Sequence, residues 1–250
     1  MQLLEFWNFY KDRVSHEVGG WFYNHDVLMF WLLDFIQKQA EWRGDLCELG
    51  VFEGKSAIAL GTFARQDEWL FCFDIFHEVP SSVVESNIQR FCPDLNGKLT
   101  CITRDLPSMR TPPPEVAPNT LRFLHLDAVH DHPGVLNDLR NFAPLLTREA
   151  IIVLDDYFDP EWPGVPSAMT EFCLSEMGRH IRPFAASKSK MYLCARPYVE
   201  AYQRCIVASG QIEKLSFERV LDVSVLRCFT AFPAPREDLL RALVTGGNAA

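Results

Sequence analysis

The stretch Glu48-Leu49-Gly50-Val51-Phe52-Glu53-Gly54-Lys55-Ser56 follows an apolar, strand-like run and opens a helical one. Two glycines four residues apart at a strand-to-helix turn let backbone N–H groups approach a ligand that any Cβ would exclude. Glu48, just before the first glycine, makes the turn attractive to a cation. The next strand-like segment, Trp69 to Phe73, runs into Asp74. That acid stands roughly 20 residues on, where a ribose-binding acid stands in a nucleotide-binding βαβ unit. The turn predicts a nucleotide-type pocket.

Outward from it, apolar strands at 45–49, 69–74, 98–103, 121–127 and 150–155 alternate with amphipathic helices at 54–65, 81–92, 133–146 and 166–178. This alternation with short connections predicts an α/β fold: a Rossmann-like, doubly wound, mostly parallel sheet covered on both faces. Ile181 to Ala185 and Lys190 to Ala195 flank Ser187-Lys188-Ser189 as a hairpin. Residues 1–44 read as two aromatic-rich helices split at Gly19-Gly20, either a lid or plain core. Residues 45–196 form the ligand-binding domain. Residues 197–250 form a C-terminal extension, with a helix near 198–209, an alternating run near 214–229 and a helix near 236–244.

The 250 residues suit one sizeable domain with appendages. A net charge of -9 argues against a broad nucleic-acid-binding face. The eight cysteines are scattered through apolar segments with no C-x-x-C pair, which predicts reduced core thiols in a cytoplasmic protein. No signal peptide is visible, and the apolar run Val27 to Leu33 is too short to span a bilayer.

Three glycine-loop chemistries compete. A dinucleotide fingerprint needs a glycine where Phe52 stands. A phosphate-binding P-loop needs four residues between its glycine and Gly-Lys-Ser, and only three separate Gly50 from Gly54. The polyphosphate reading keeps some weight because Ile151 to Asp156 is an apolar strand ending in two acids, like one that carries a magnesium ligand. The third form, E-x-G-x-x-x-G with an acid ending the second strand, resembles the class I S-adenosylmethionine (AdoMet) dependent methyltransferases. That resemblance implies that Gly50, Gly54 and Ser56 line the methionine part, with Glu48 helping to position it. It puts Asp74 on the ribose hydroxyls and Asp105 near the adenine; Asp105 is equally a turn or helix cap.

A second constellation follows. Asp127 ends the strand Arg122 to Leu126, and Asp155-Asp156-Tyr157 ends the next. Strand C-termini line one edge of a doubly wound sheet, so these carboxylates converge there. Three of them together would repel one another unless a hard cation such as Mg²⁺ sits among them, or unless some simply cap helices. The glycine turn, Phe73 to Pro80, Asp127 to His130, Asp155-Asp156-Tyr157 and Pro163-Gly164-Val165 recur in the order seen in the macrocin O-methyltransferase branch. This resemblance, over about residues 44–195, implies Asp127, Asp155 and Asp156 as metal ligands. It also implies an acid two residues after Asp127 as general base, but Val129 stands there. His130, with a pKa suited to proton removal, is the replacement, or else a structural turn residue; Asp131 is a further candidate. His125, within a strand, reads as a satisfied core histidine.

The expected function is a metal-assisted O-methyltransferase of a small hydroxylated metabolite or sugar. AdoMet and Mg²⁺ are the cofactors, Asp127 and His130 the catalytic groups, and Tyr157 and Trp162 a substrate wall. Neither nucleic acid nor membrane is an expected partner, and a homodimer is the expected assembly. A metal-free methyltransferase, a magnesium-dependent nucleotide hydrolase and a noncatalytic AdoMet-binding protein are the alternatives.

Overall fold

The computed structural model describes residues 2–231. The helix expected near 236–244 lies outside them. The chain opens with α1 (Leu3–Phe9), which continues through a π turn (Tyr10–Val14) into α2 (Ser15–Glu17), and then α3 (Asn24–Gln39). The alternating core follows as β1 (Asp45–Leu49), α4 (Lys55–Phe63), β2 (Leu70–Asp74), α5 (Ser81–Phe91) and β3 (Leu99–Thr103). It continues with β4 (Leu121–Leu126), α6 (His132–Phe142), β5 (Leu146–Leu154) and α7 (Gly164–Leu174). Next come the hairpin β6 (Ile181–Ala186) and β7 (Met191–Ala195), α8 (Val199–Ser209), and a second hairpin, β8 (Ile212–Val220) and β9 (Val223–Ala231).

All nine strands join one sheet in the order β3-β2-β1-β4-β5-β7-β6-β9-β8. The first five run parallel, while β7 is antiparallel to both β5 and β6. The sheet is open, mostly parallel and covered on both faces, as the alternation predicts. The alternating run near 214–229 is the second hairpin, and β9 lies beside β6 and lengthens the sheet.

Side chains alternate across a strand, so each strand feeds two cores. Leu46, Phe123, Ile151 and Tyr192 face the layer of α3, α4, α5 and α8, together with Phe6, Trp7, Tyr10 and Phe30. Leu49, Leu126, Leu154 and Leu193 face α6 and α7. Most N-terminal aromatics are therefore core; Trp21, 80% exposed, is not. Arg122, fully buried, anchors the start of β4: its guanidinium meets Glu68 at 3.0 Å, Asp34 at 2.9 Å and Gln37 at 2.7 Å. The cysteines are free thiols and most are buried. Among the described residues no helix is long and apolar enough to cross a membrane.

One buried charge opposes this packing. Asp138 on α6 has its Oδ1 without a partner, and burial, with nearby Asp131, pushes its carboxyl up to about 7. The folded value exceeds the unfolded one, near ~4. The folded state therefore holds the proton longer, and stability falls as pH rises from about 4 through 7. Asp138→Asn should raise the thermal midpoint at pH 8 by at least about 3 °C. The gain should shrink steadily as the pH is lowered towards 4. Equal midpoints for both proteins at pH 8 would contradict this assignment.

Candidate active site

The glycine turn forms the floor of a cavity of about 650 Å³ at the C-terminal edge of the parallel strands. A pocket of that size suits a nucleotide-like cofactor plus a small acceptor. Gly50 takes φ +78°, and a Cβ there would lie 2.1 Å from the Asp127 carbonyl oxygen and 2.5 Å from the Ala128 Cα. Only glycine lets the loops after β1 and β4 meet so closely. Asp74 ends β2 against the same floor: its carboxylate accepts from Val51 N at 2.7 Å, Phe52 N at 3.4 Å and Phe76 N at 2.8 Å. The acid is thus fixed in the cavity wall by three backbone donors.

Other members of the glycine motif do different work. Gly54, at φ +91°, begins α4 and packs against Ile88 and Val84 rather than lining the cavity. Lys55 donates to Ser15 O and to Gly20 O at 2.8 Å, and Glu53 accepts from Gly19 N at 2.6 Å. The two side chains staple the segment 19–23 over the cavity mouth, where Trp21 stacks on Phe52 with ring centroids 5.9 Å apart. The lysine that resembles a phosphate-binding residue is held by carbonyls. Asp105 lies exposed at the start of a 3-10 turn, without a side-chain capping hydrogen bond, and is not among the residues that line the cavity.

Glu48 is fully buried beneath the floor. It accepts from Ser56 Oγ at 2.5 Å and pairs with His125 Nδ1 at 2.7 Å, while its Oε2 has no partner. Register places Glu48 directly across from His125. His125 Nε2 faces Lys190 Nζ at 3.2 Å and Asp155 Oδ2 at 3.7 Å. Lys190 in turn donates to Asp155 Oδ2. Ser56, Glu48, His125, Lys190 and Asp155 form one buried polar chain across the sheet. Burial and the Lys190 charge hold His125 down, but the Asp155 and Glu48 carboxylates outweigh them and bring it up to about 9. Against burial, Lys190 and His125 hold Asp155 well below the usual carboxylate range, and Asp155, Asp26 and Asp127 raise Lys190.

At the far side of the cavity, His130 Nε2 lies 3.4 Å from both Asp127 Oδ1 and Asp156 Oδ2. Burial lowers its pKa, yet these carboxylates raise it overall. Burial and Asp155 push Asp127 up to about 6 and also raise Asp156. Asp156 occupies the left-handed region, φ +51°, and donates its N–H to Asp155 Oδ1 at 2.8 Å. The His130 turn is possible because Gly164 opens α7: a Cβ there would meet His130 O and His132 N at 2.5 Å. Val129, at the position of the missing acid, packs against Gly134 of α6. Asp131 caps α6 by accepting from Gly134 N at 2.7 Å and is not among the residues that line the cavity.

The expected metal trio is not open. Asp155 has one oxygen on Lys190 and the other on the Asp156 amide, so the structure brings Asp127 and Asp156 to His130 and assigns Asp155 elsewhere. The residues present do not fit a divalent ion held by all three aspartates. The substrate wall also differs. Trp162 stands at His130, ring centroids 5.0 Å apart, and Tyr157 packs against Phe158, but neither is among the residues that line the cavity. Lys190 is the residue sequence reasoning missed. Its signal was a lone lysine opening an apolar strand, Met191-Tyr192-Leu193-Cys194.

Residues 47–157 match the family model described as a methyltransferase domain. Over that segment the chain is similar to methyltransferase domains, and solved methyltransferase structures share its fold. The O-methyltransferase NovP superposes with a TM-score of 0.58 at 16% identity, covering 68% of this chain and 78% of that one. The TDP-rhamnose 3'-O-methyltransferase CalS11, an enzyme of calicheamicin biosynthesis, gives 0.52 at 15%, covering 74% and 84%. An O-methyltransferase from Bacillus cereus in complex with S-adenosylhomocysteine (SAH) gives 0.51 at 15%, covering 77% and 90%. No curated protein sequence matches the chain.

If Asp74 is the ribose acid, removing it also frees the three amides that shape the floor. Asp74→Ala should weaken SAH binding by at least about tenfold in a calorimetric titration. Unchanged affinity would place the ribose elsewhere.

Proposed function

We propose that this protein transfers the methyl group of AdoMet to a hydroxyl oxygen of a small metabolite. The observation that carries this reading is one cavity with two chemically distinct ends. The Gly50 floor and Asp74 line one side, His130 and Asp156 line the other, and Asp127 joins the two. The gap between them suits a sulfonium methyl facing a polar acceptor.

AdoMet, when bound, supplies an already activated methyl group. The protein's residues then have two tasks: alignment of the acceptor oxygen with the methyl–sulfur axis, and acceptance of its proton. Orientation alone supplies several kcal/mol of barrier reduction. As the acceptor oxygen gains the methyl group and neutral SAH is left behind, its hydroxyl proton would pass to His130, which lines the cavity. Asp127 and Asp156 raise the basicity of that imidazole and stabilise its charge once protonated. Trp21 with Phe52 offers an aromatic surface for the acceptor at the mouth. A sugar fits such a surface, and a neighbour of the same fold is named for a sugar hydroxyl.

His130→Ala should lower kcat by at least about a hundredfold and leave SAH affinity within about twofold, because the loss falls on proton transfer. A panel of sugars and phenols assayed with radiolabelled AdoMet identifies the acceptor and supplies this measurement. A variant with undiminished kcat would remove His130 from the reaction.

A further inference from the structure

Lys190 is 2% exposed, lies on the sheet face that carries Glu48 and His125, and borders the cavity with Asp127 and Asp155. A lysine ammonium is a compact point charge, and burial at such a place demands compensation. Asp155 compensates it through Oδ2. The other oxygen, Oδ1, then accepts the Asp156 N–H and holds Asp156 in its left-handed conformation. That conformation sets the Asp156 carboxylate 3.4 Å from His130 Nε2. One tethered cation therefore fixes the turn that aims the acidic side of the site.

Asp127, His130 and Asp156 lie close enough together to hold an ion, but one bound by all three aspartates would need Asp155 as a hard oxygen ligand as well. It would find both Asp155 oxygens engaged and would meet the Lys190 ammonium and the His125 and His130 imidazoles among the three aspartates. The cleft's negative charge is already largely balanced by the chain itself.

We propose that Lys190 is the resident cation of this cleft, a positioning residue that stands in for a divalent ion and makes methyl transfer independent of one. The proposal deepens the methyltransferase reading and rests on it for the reaction. The placement of the cation is independent of that reading.

The test uses the full chain, stripped with chelator and titrated with Mn²⁺ alone while free Mn²⁺ is followed by electron paramagnetic resonance. SAH binding is measured in parallel by calorimetry. The wild-type protein should show no Mn²⁺ site tighter than about 1 mM, since weaker association is ordinary for exposed carboxylates. Lys190→Ala removes a positive charge and releases Asp155, so it should gain one Mn²⁺ site at least tenfold tighter. Lys190→Arg, which keeps the charge, should not. A stoichiometric wild-type site at micromolar Mn²⁺ would overturn the proposal, as would a folded Lys190→Ala protein with no gain. If Lys190→Ala does not fold, Lys190→Gln carries the same expectation, and the wild-type titration decides by itself. Failure of SAH to bind would sink the methyltransferase reading, and the Mn²⁺ comparison would still decide the role of Lys190.

Discussion

The buried polar chain from Ser56 through Glu48, His125 and Lys190 to Asp155 is the constraint on which the site depends. It crosses β1, β4 and the ends of β5 and β7 on one face of the sheet, the face that also carries the apolar Leu46, Phe123, Ile151 and Val153. Each member is costly alone: leaving one partner of a buried ion pair uncompensated typically costs about 3–5 kcal/mol. Together they compensate one another, apart from Glu48 Oε2, and the pairing goes with the strand register that brings Glu48 opposite His125. A slip of one residue would turn the whole set towards α6 and α7.

This chain links the two ends of the cavity. On the cofactor side it ends at Ser56, in the first turn of α4 and next to the glycine floor. On the acceptor side it ends at Asp155, whose second oxygen shapes the turn that carries Asp156 to His130. Asp127 sits between, after β4, with its carbonyl pressed against Gly50. The glycine floor and His130, the proposed proton acceptor, are thus tied to one hydrogen-bonded frame. Catalysis by orientation needs that kind of rigidity more than it needs any additional functional group.

The fold was legible because its signals are local. Apolar strands, the helices between them and the Gly50 turn each announce themselves within about ten residues, and short connections leave few topologies. Asp74 and Asp127 were legible as strand-end acids for the same reason. The rest depended on contacts distant in sequence. Lys190 matters because β7 returns antiparallel beside β5 and sets it against Asp155, thirty-five residues away. Lys55 looked like a phosphate ligand until the N-terminal segment folded back to place the Ser15 and Gly20 carbonyls on it. Asp105 stood at the right kind of strand end, but β3 is the sheet's outer edge and the acid there faces solvent. His125 was read correctly as buried and satisfied, although its partners were invisible.

The pair of ties from Glu53 and Lys55 to the backbone of Gly19, Ser15 and Gly20 has a mechanical consequence. The strap across the entrance and the glycine floor share the same fasteners, so neither can shift without dragging the other. Entrance width and floor shape are therefore a single degree of freedom in this molecule. A substitution at Glu53 or Lys55 therefore loosens the strap and disturbs the glycine loop together, whereas the N-terminal side of each tie is backbone.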